Sequence, residues 1–166
     1  MPFNTLVLSC LCSRETSFCE RGTGAELCIK PNSNEIVLFF VIDDQSNKQS
    51  TIREDFGIEG GLCDLAIFYA DKVKNEKIIC LAELKGRHVD EAVDQIINTF
   101  KKLKKMYDEK GIVVIWKAYI LFKGRSPRNL KKLQMNLQET IGKNSCLIGR
   151  HSDISDFLRG KIKTKF

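Results

Sequence analysis

Residues 78–86 read IICLAELKG. Ile78, Ile79, Cys80, Leu81 and Ala82 make an apolar run of the kind that fills a strand covered on both faces. The run ends in Glu83-Leu84-Lys85 and is closed by Gly86. Side chains two apart on a strand share a face, so Glu83 and Lys85 project together and Leu84 projects the other way, into the core. A core strand that delivers a carboxylate and an ammonium to one point needs a partner for them.

Upstream, LCDLAIFYA at 62–70 is a second apolar run and DKVKNEK at 71–77 is a turn. Residues 62–84 therefore read as an antiparallel hairpin. Asp64 lies 19 residues before Glu83, on the first strand of that hairpin. The intervening strand, turn and strand can bring the two carboxylates together. Further upstream, IVLFFVI at 36–42 is continuously apolar, and the segment LCIKPNSNEIVLFFVID is expected to form a hairpin turning at Asn32-Ser33-Asn34. A polar loop at 43–61 follows it.

Downstream lies the clearest helix, over about residues 89–109. Val89, Ala92, Val93, Ile96, Ile97, Phe100, Leu103 and Tyr107 recur at three- and four-residue spacing. Asp90, Glu91 and Asp94 sit near its positive N-terminus, lysines load its C-terminal half, and Gly111 is a natural stop. IVVIWKAYILF at 112–122 is a central strand. Ser126-Pro127 reads as an N-cap and first turn, opening a second helix with Leu130, Leu133, Leu137 and Ile141 on one face and Gly142 after it. SCLIGR at 145–150 is a last short strand, and RGKIKTKF at 159–166 a basic, mobile tail. Three strands, helix, strand, helix, short strand gives an α/β protein: a central mixed sheet in a three-layer α/β/α arrangement.

The totals set outer limits. The 166 residues suffice for one well-packed domain, with its core at about 36–149. No apolar run approaches the roughly 20 residues of a membrane span, and the N-terminus lacks the basic region of a signal peptide. Seven scattered cysteines, Cys10, Cys12, Cys19, Cys28, Cys63, Cys80 and Cys146, are an odd count. They fit reduced thiols in a cytoplasmic protein better than a disulfide framework. The four N-terminal ones lack the paired C-x-x-C spacing of structural zinc sites.

The formal charge of +6 is unevenly spread: residues 1–83 carry −5 and residues 84–166 carry +11. That asymmetry suggests a polyanionic partner, most simply nucleic acid. Lys101, Lys102, Lys104 and Lys105 run down the first long helix, and Lys123, Arg125 and Arg128 cluster after the central strand. Such cations suit phosphate contacts. The lone histidines His88 and His151 have no ligand spacing and read as structural or exposed.

Two carboxylates and a lysine at one point on a sheet suit a hard divalent cation. Mg²⁺ takes oxygen ligands and binds through one or two carboxylates, keeping waters and substrate phosphate oxygens in its shell. Taken alone, E-x-K is an ordinary surface ion pair of little energetic weight. The context gives it more.

Asp64 in GLCDLAIFY, Glu83 and Lys85 in CLAELKGR, and the amphipathic helix from Val89 together resemble the PD-(D/E)xK nuclease superfamily, with its restriction-endonuclease-like fold. The resemblance spans about residues 36–122, the strand–strand–strand–helix–strand core. Cys63 stands where the name-giving Pro would be. The likeness implies a nuclease, endonuclease or exonuclease, hydrolysing phosphodiester bonds in DNA or, second, RNA with Mg²⁺ or Mn²⁺. Asp64, Glu83 and the backbone carbonyl of Leu84 would be the metal ligands and Lys85 the catalytic lysine. Gln95, in AVDQIINTF, resembles the Gln that RecB-like branches place beside the active site. An upstream acid, Glu20 or Glu26, is a further candidate ligand. Lys101, Lys102, Lys105, Lys123, Arg125 and Arg128 would contact nucleic acid, specificity would come from loops such as 43–61, from a dimer or from a partner, and the chain would act as a homodimer or within a larger complex. The rival expectations are a non-catalytic nucleic-acid- or protein-binding module on the same fold, and a small nuclease subunit of a larger defence or repair complex.

Overall fold

The computed structural model describes residues 2–13, 16–20, 24–43, 52–55, 57 and 59–162. Along these the chain runs α1 (Pro2–Ser9), β1 (Leu11–Ser13), β2 (Ser17–Cys19), β3 (Glu26–Cys28), β4 (Glu35–Val41), α2 (Ile52–Asp55), β5 (Leu65–Asp71), β6 (Glu76–Lys85), α3 (Val89–Glu109), β7 (Ile115–Phe122), α4 (Leu130–Ile141), β8 (Cys146–Gly149) and α5 (Ser155–Leu158). Six strands make one mixed sheet in the order β1-β4-β5-β6-β7-β8, while β2 and β3 pair separately. A short turn joins β5 to β6 and residues 42–64 join β4 to β5, and both neighbouring pairs are antiparallel. The crossovers through α3 and α4 leave β6, β7 and β8 parallel.

The sheet separates two cores, and strand alternation decides which residues enter each. Ile79 and Leu81 of β6 face α3 and pack with Val93, Ile96 and Leu103. Ile78, Cys80, Ala82 and Leu84 face the opposite layer, with Leu27, Ile29, Phe157 and Leu158. By the same alternation Glu83 and Lys85 point to the α3 side.

Several expectations need correction. The segment from Leu27 does not fold back on β4: β3 pairs with β2, and β4 takes β1 and β5 as neighbours. Residues 33 and 34 do turn, but the turn joins two different sheets. The layer opposite α3 is the β2–β3 hairpin and the one-turn α5, not a layer of long helices. The second long helix starts at Leu130, not at Pro127; the Pro127 carbonyl instead accepts the Leu130 N–H at 3.2 Å, a turn ahead of the helix. The first long helix spans Val89–Glu109 as its periodicity predicts, with Gly111 at φ 64° after it. Of the tail, residues 159–162 are described, and Arg159 is tied down by Glu35 at 2.8 Å. Much of the 43–61 loop, and residues 163–166, lie outside the described residues. Among the described residues no helix is long and apolar enough to cross a membrane.

One core position carries a testable cost. Tyr107 packs edge-on against Trp116, ring centroids 5.4 Å apart, and its buried hydroxyl has no hydrogen-bond partner among the described residues. Burial pushes the phenol up to about 12. A buried unpaired hydroxyl costs about 1–3 kcal/mol. Tyr107→Phe is therefore expected to be neutral or stabilising by up to about 1 kcal/mol in urea unfolding. A loss of more than about 1 kcal/mol would show that the hydroxyl does have a partner.

Candidate active site

The β5–β6 register ends with Leu65 opposite Ala82, and one further step sets Asp64 opposite Glu83. At that step the backbone ladder gives way to side chains. The Asp64 N–H donates to Glu83 Oε2 at 2.8 Å, and the Leu84 N–H donates to Asp64 Oδ2 at 2.7 Å. Each carboxylate thus clasps the opposite strand's backbone. The Asp64 carbonyl accepts the Ile42 N–H at 2.8 Å, which fixes it against the end of β4 as well.

Lys85 Nζ lies 2.9 Å from Glu83 Oε1; the Glu83 side chain is 0% exposed and that of Lys85 25%. A buried and a half-buried carboxylate with one ammonium leave an excess negative charge at the C-terminal end of two parallel strands. Burial and the charge of Asp64 push Glu83 above the usual carboxylate range, and Lys85 pulls it back only in part. Asp64 is raised too, chiefly by burial, against the Leu84 N–H and Lys85; the charges of Glu20 and Asp43 raise it further. For Lys85, burial alone would favour the neutral amine, but Glu83 and Asp64 outweigh it and hold the ammonium.

α3 backs this point. Cys63 N–H donates to Thr99 Oγ1 at 3.1 Å, and the Thr99 hydroxyl donates to the Gln95 carbonyl at 2.8 Å. Asn98 Nδ2 donates to the carbonyls of Glu59 and Gly61 at 2.8 and 2.9 Å. Gly61 lies so close to Gln95 that a Cβ would come within 2.7 Å of Gln95 Cγ. Gln95 is thereby held against the segment leading into Asp64. Its Oε1 is buried without a hydrogen-bond partner among the described residues. Cys63 is fully buried, and burial followed by the Glu83 charge pushes its thiol up.

The structure brings Asp64, Glu83, Leu84 and Lys85 into one cluster, with Gln95 on its helical wall. Of the two upstream acids, Glu20 is the one whose charge reaches Asp64; Glu26 is exposed on β3, in register with Cys19. Asp43, which the sequence reading passed over, also reaches Asp64 and is paired with Arg53 at 3.2 Å. Its signal was its place directly after the apolar β4 run. Among the described residues no group of three His, Cys, Asp or Glu side chains is arranged to hold a metal ion.

The proposed nucleic-acid contacts divide. The Lys123 N–H donates to the Lys85 carbonyl at 3.2 Å, and Lys123 Nζ donates to the Gly24 carbonyl. Arg125 and Arg128 are exposed after β7. Lys101, Lys102 and Lys105 are 12 to 16 residues into α3. At 1.5 Å per residue that is about 18–24 Å along its axis from the end nearest the cluster. Lys105 also lies 3.9 Å from Glu109. The chain matches no protein-family model, no curated protein and no solved structure.

Proposed function

We propose that the chain is a divalent-metal-dependent nuclease, hydrolysing phosphodiester bonds in DNA first and RNA second on a restriction-endonuclease-like core. The observation that carries this is the buried Asp64–Glu83 clasp with the Lys85 ammonium 2.9 Å from it, held at a strand end where a ligand can approach. The meander β4-β5-β6, crossover α3 and parallel β7 support the fold reading. The thiols of Cys63, Cys80 and Cys146, buried without a disulfide among the described residues, support a reducing, cytoplasmic setting.

The residues present fit a hard cation. The donors are carboxylate oxygens, the site holds two carboxylates against one ammonium, and both acids are raised, chiefly by burial. Carboxylate oxygens that each accept one N–H keep a second lone pair. Asp64 and Glu83 would hold the ion, with the Leu84 carbonyl as a third donor. When bound, Mg²⁺ or Mn²⁺ would polarise the scissile phosphate and acidify a water.

The chain's own residues supply the rest. The clasp fixes both carboxylates before substrate arrives, so no ordering cost falls on the chemical step. Lys85 is protonated, so it acts as a cation beside the reacting phosphate and a donor toward the developing oxyanion; it is not a base at neutral pH. The unpaired Gln95 Oε1 can accept a hydrogen bond from a water on the α3 side.

Single- and double-stranded DNA and RNA, incubated with Mg²⁺ and with Mn²⁺, test the reading. Cleavage is expected for at least one DNA substrate and is expected to disappear with EDTA. Asp64→Asn should lower the rate by about 100-fold or more. Cleavage that is unchanged in Asp64→Asn, or that survives chelation, would overturn it.

A further inference from the structure

Three parallel strands of this sheet end alike. β6 runs out through Lys85-Gly86-Arg87, β7 through Lys123-Gly124-Arg125 and β8 through Ile148-Gly149-Arg150. The pairs Lys85–Phe122 and Leu121–Gly149 set their levels. Continued by a residue or two, those registers put Arg150 level with Phe122, Arg87 level with Gly124, and Arg125 one residue beyond. The arginines climb a short staircase along the edge that also holds Asp64, Glu83 and Lys85.

Two of the glycines have packing reasons. A Cβ at Gly124 would fall 2.6 Å from the Gly86 carbonyl oxygen, which accepts the Gly124 N–H at 2.8 Å. A Cβ at Gly149 would fall 3.1 Å from the Tyr119 hydroxyl, which donates to the His151 carbonyl at 2.7 Å. Packing gives no such reason for the arginines. Arg87, Arg125 and Arg150 are exposed, and among the described residues none pairs with a carboxylate. Cations elsewhere do pair: Arg53 with Asp43, Lys104 with Asp108, Arg159 with Glu35. Arg150 is moreover pre-positioned. Its Nη2 donates to the Gly124 carbonyl at 3.0 Å and its guanidinium lies 5.1 Å from the centre of the Phe122 ring. That leaves most of its five N–H donors free.

We propose that Arg87, Arg125 and Arg150 form the track along which the sugar–phosphate backbone of the nucleic acid crosses the sheet edge, from the carboxylates on β6 toward β8. The proposal rests on the nuclease reading and adds the residues that hold its substrate. Guanidinium forks bind phosphate oxygens in pairs. Neighbouring strands are about 4.8 Å apart, so three of them span about 10 Å. That length meets more than one phosphate of a single nucleic-acid strand, so the forks can grip neighbouring phosphates. Contacts of this kind position a backbone and are indifferent to base sequence.

Binding without cleavage tests it: a labelled oligonucleotide, single-stranded and duplex, titrated in EDTA across about 50–200 mM salt. Arg87→Gln/Arg125→Gln removes no intramolecular contact that the structure shows. On duplex DNA it is expected to reduce the slope of log K against log salt by about 2, and adding Arg150→Gln by about 3. Replacing all three by lysine should restore most of the slope. Lys72→Gln/Lys74→Gln/Lys77→Gln, an equal loss of exposed charge at the β5–β6 turn on the opposite end of the sheet, should leave the slope nearly unchanged. Binding by the wild type with no slope change in the arginine variants would overturn the track and leave the nuclease reading standing. Equal loss in both triple variants would overturn it too, showing only a diffuse field. Failure of the wild type to bind or cut any probe would remove both readings.

Discussion

Glu83→Gln is expected to raise the melting temperature of the metal-free protein above neutral pH while lowering cation-dependent cleavage by about 100-fold or more. The two effects share one cause. Glu83 is wholly buried, its Oε2 accepts the Asp64 N–H at 2.8 Å, and Asp64 faces it as a second negative charge. Burial and that charge raise its pKa despite Lys85. Between the ordinary value of 4.5 and the raised native value, the folded state holds a proton that the unfolded chain has lost. Stability therefore falls as pH rises through that window. Glutamine keeps an oxygen for the Asp64 N–H and ends the repulsion. The gain should be read as about 2–4 °C for each kcal/mol relieved in a chain of this size. It should disappear below 4.5, where Glu83 is protonated in both states. Added Mg²⁺ should raise the wild-type melting temperature and leave the variant's unchanged. A purely structural Glu83–Lys85 ion pair requires the reverse, since breaking a buried pair costs about 3–5 kcal/mol. A variant that melts lower at every pH would show that role instead.

The parts of this fold that were legible in sequence are those where one residue pattern admits one structure. The apolar runs of β6 and β7 are too continuous for a half-exposed strand, although the equally continuous run of β4 is only half-covered, and the spacing from Val89 to Tyr107 fits nothing but a helix. The Asp64–Glu83 pairing was legible because a hairpin's register follows from its turn, here Lys72–Asn75 between Asp71 and Glu76. What failed were contacts between distant segments. β3 is three residues long, and nothing in Glu26–Cys28 distinguishes β2 from β4 as its partner. Ser126-Pro127 carries a strong helix-start signal, yet the chain makes a turn first. The repeated Gly-Arg steps were visible as letters, but only the parallel pairing of β6, β7 and β8 sets them side by side. The basic tail read as a solvated segment because its partner, Glu35, is 124 residues away from Arg159.

That last contact carries the largest expected loss of stability. Arg159 Nε and Nη2 donate to Glu35 Oε1 and Oε2, each at 2.8 Å, and Nη2 also donates to the Lys30 carbonyl at 2.6 Å. The Tyr69 hydroxyl and the Asn32 N–H complete the shell of Glu35, whose side chain is 2% exposed. Arg159 thereby fastens the end of α5 to the start of β4, beside the point where Lys117 Nζ donates to the carbonyls of Phe157 and Leu158. Arg159→Ala should cost about 3–5 kcal/mol in urea unfolding at neutral pH, because Glu35 is left buried without its counter-charge. Arg159→Lys should fall between, keeping the charge and losing the fork. The pH dependence identifies the cause. Hydrogen bonds from Arg159 hold Glu35 down to about 2, so the native state binds fewer protons than the unfolded chain between 4.5 and that value. The stabilisation is complete above 4.5 and fades as pH falls toward 2. The gap between wild type and Arg159→Ala should therefore narrow on acidification; a gap constant with pH would mean that Arg159 acts through packing alone. Glu83 has the opposite sign, gaining nothing from ionisation in the metal-free fold. Acid should therefore weaken the Arg159–Glu35 contact and relieve Glu83, because donors hold the first carboxylate ionised and burial, with the Asp64 charge, raises the second.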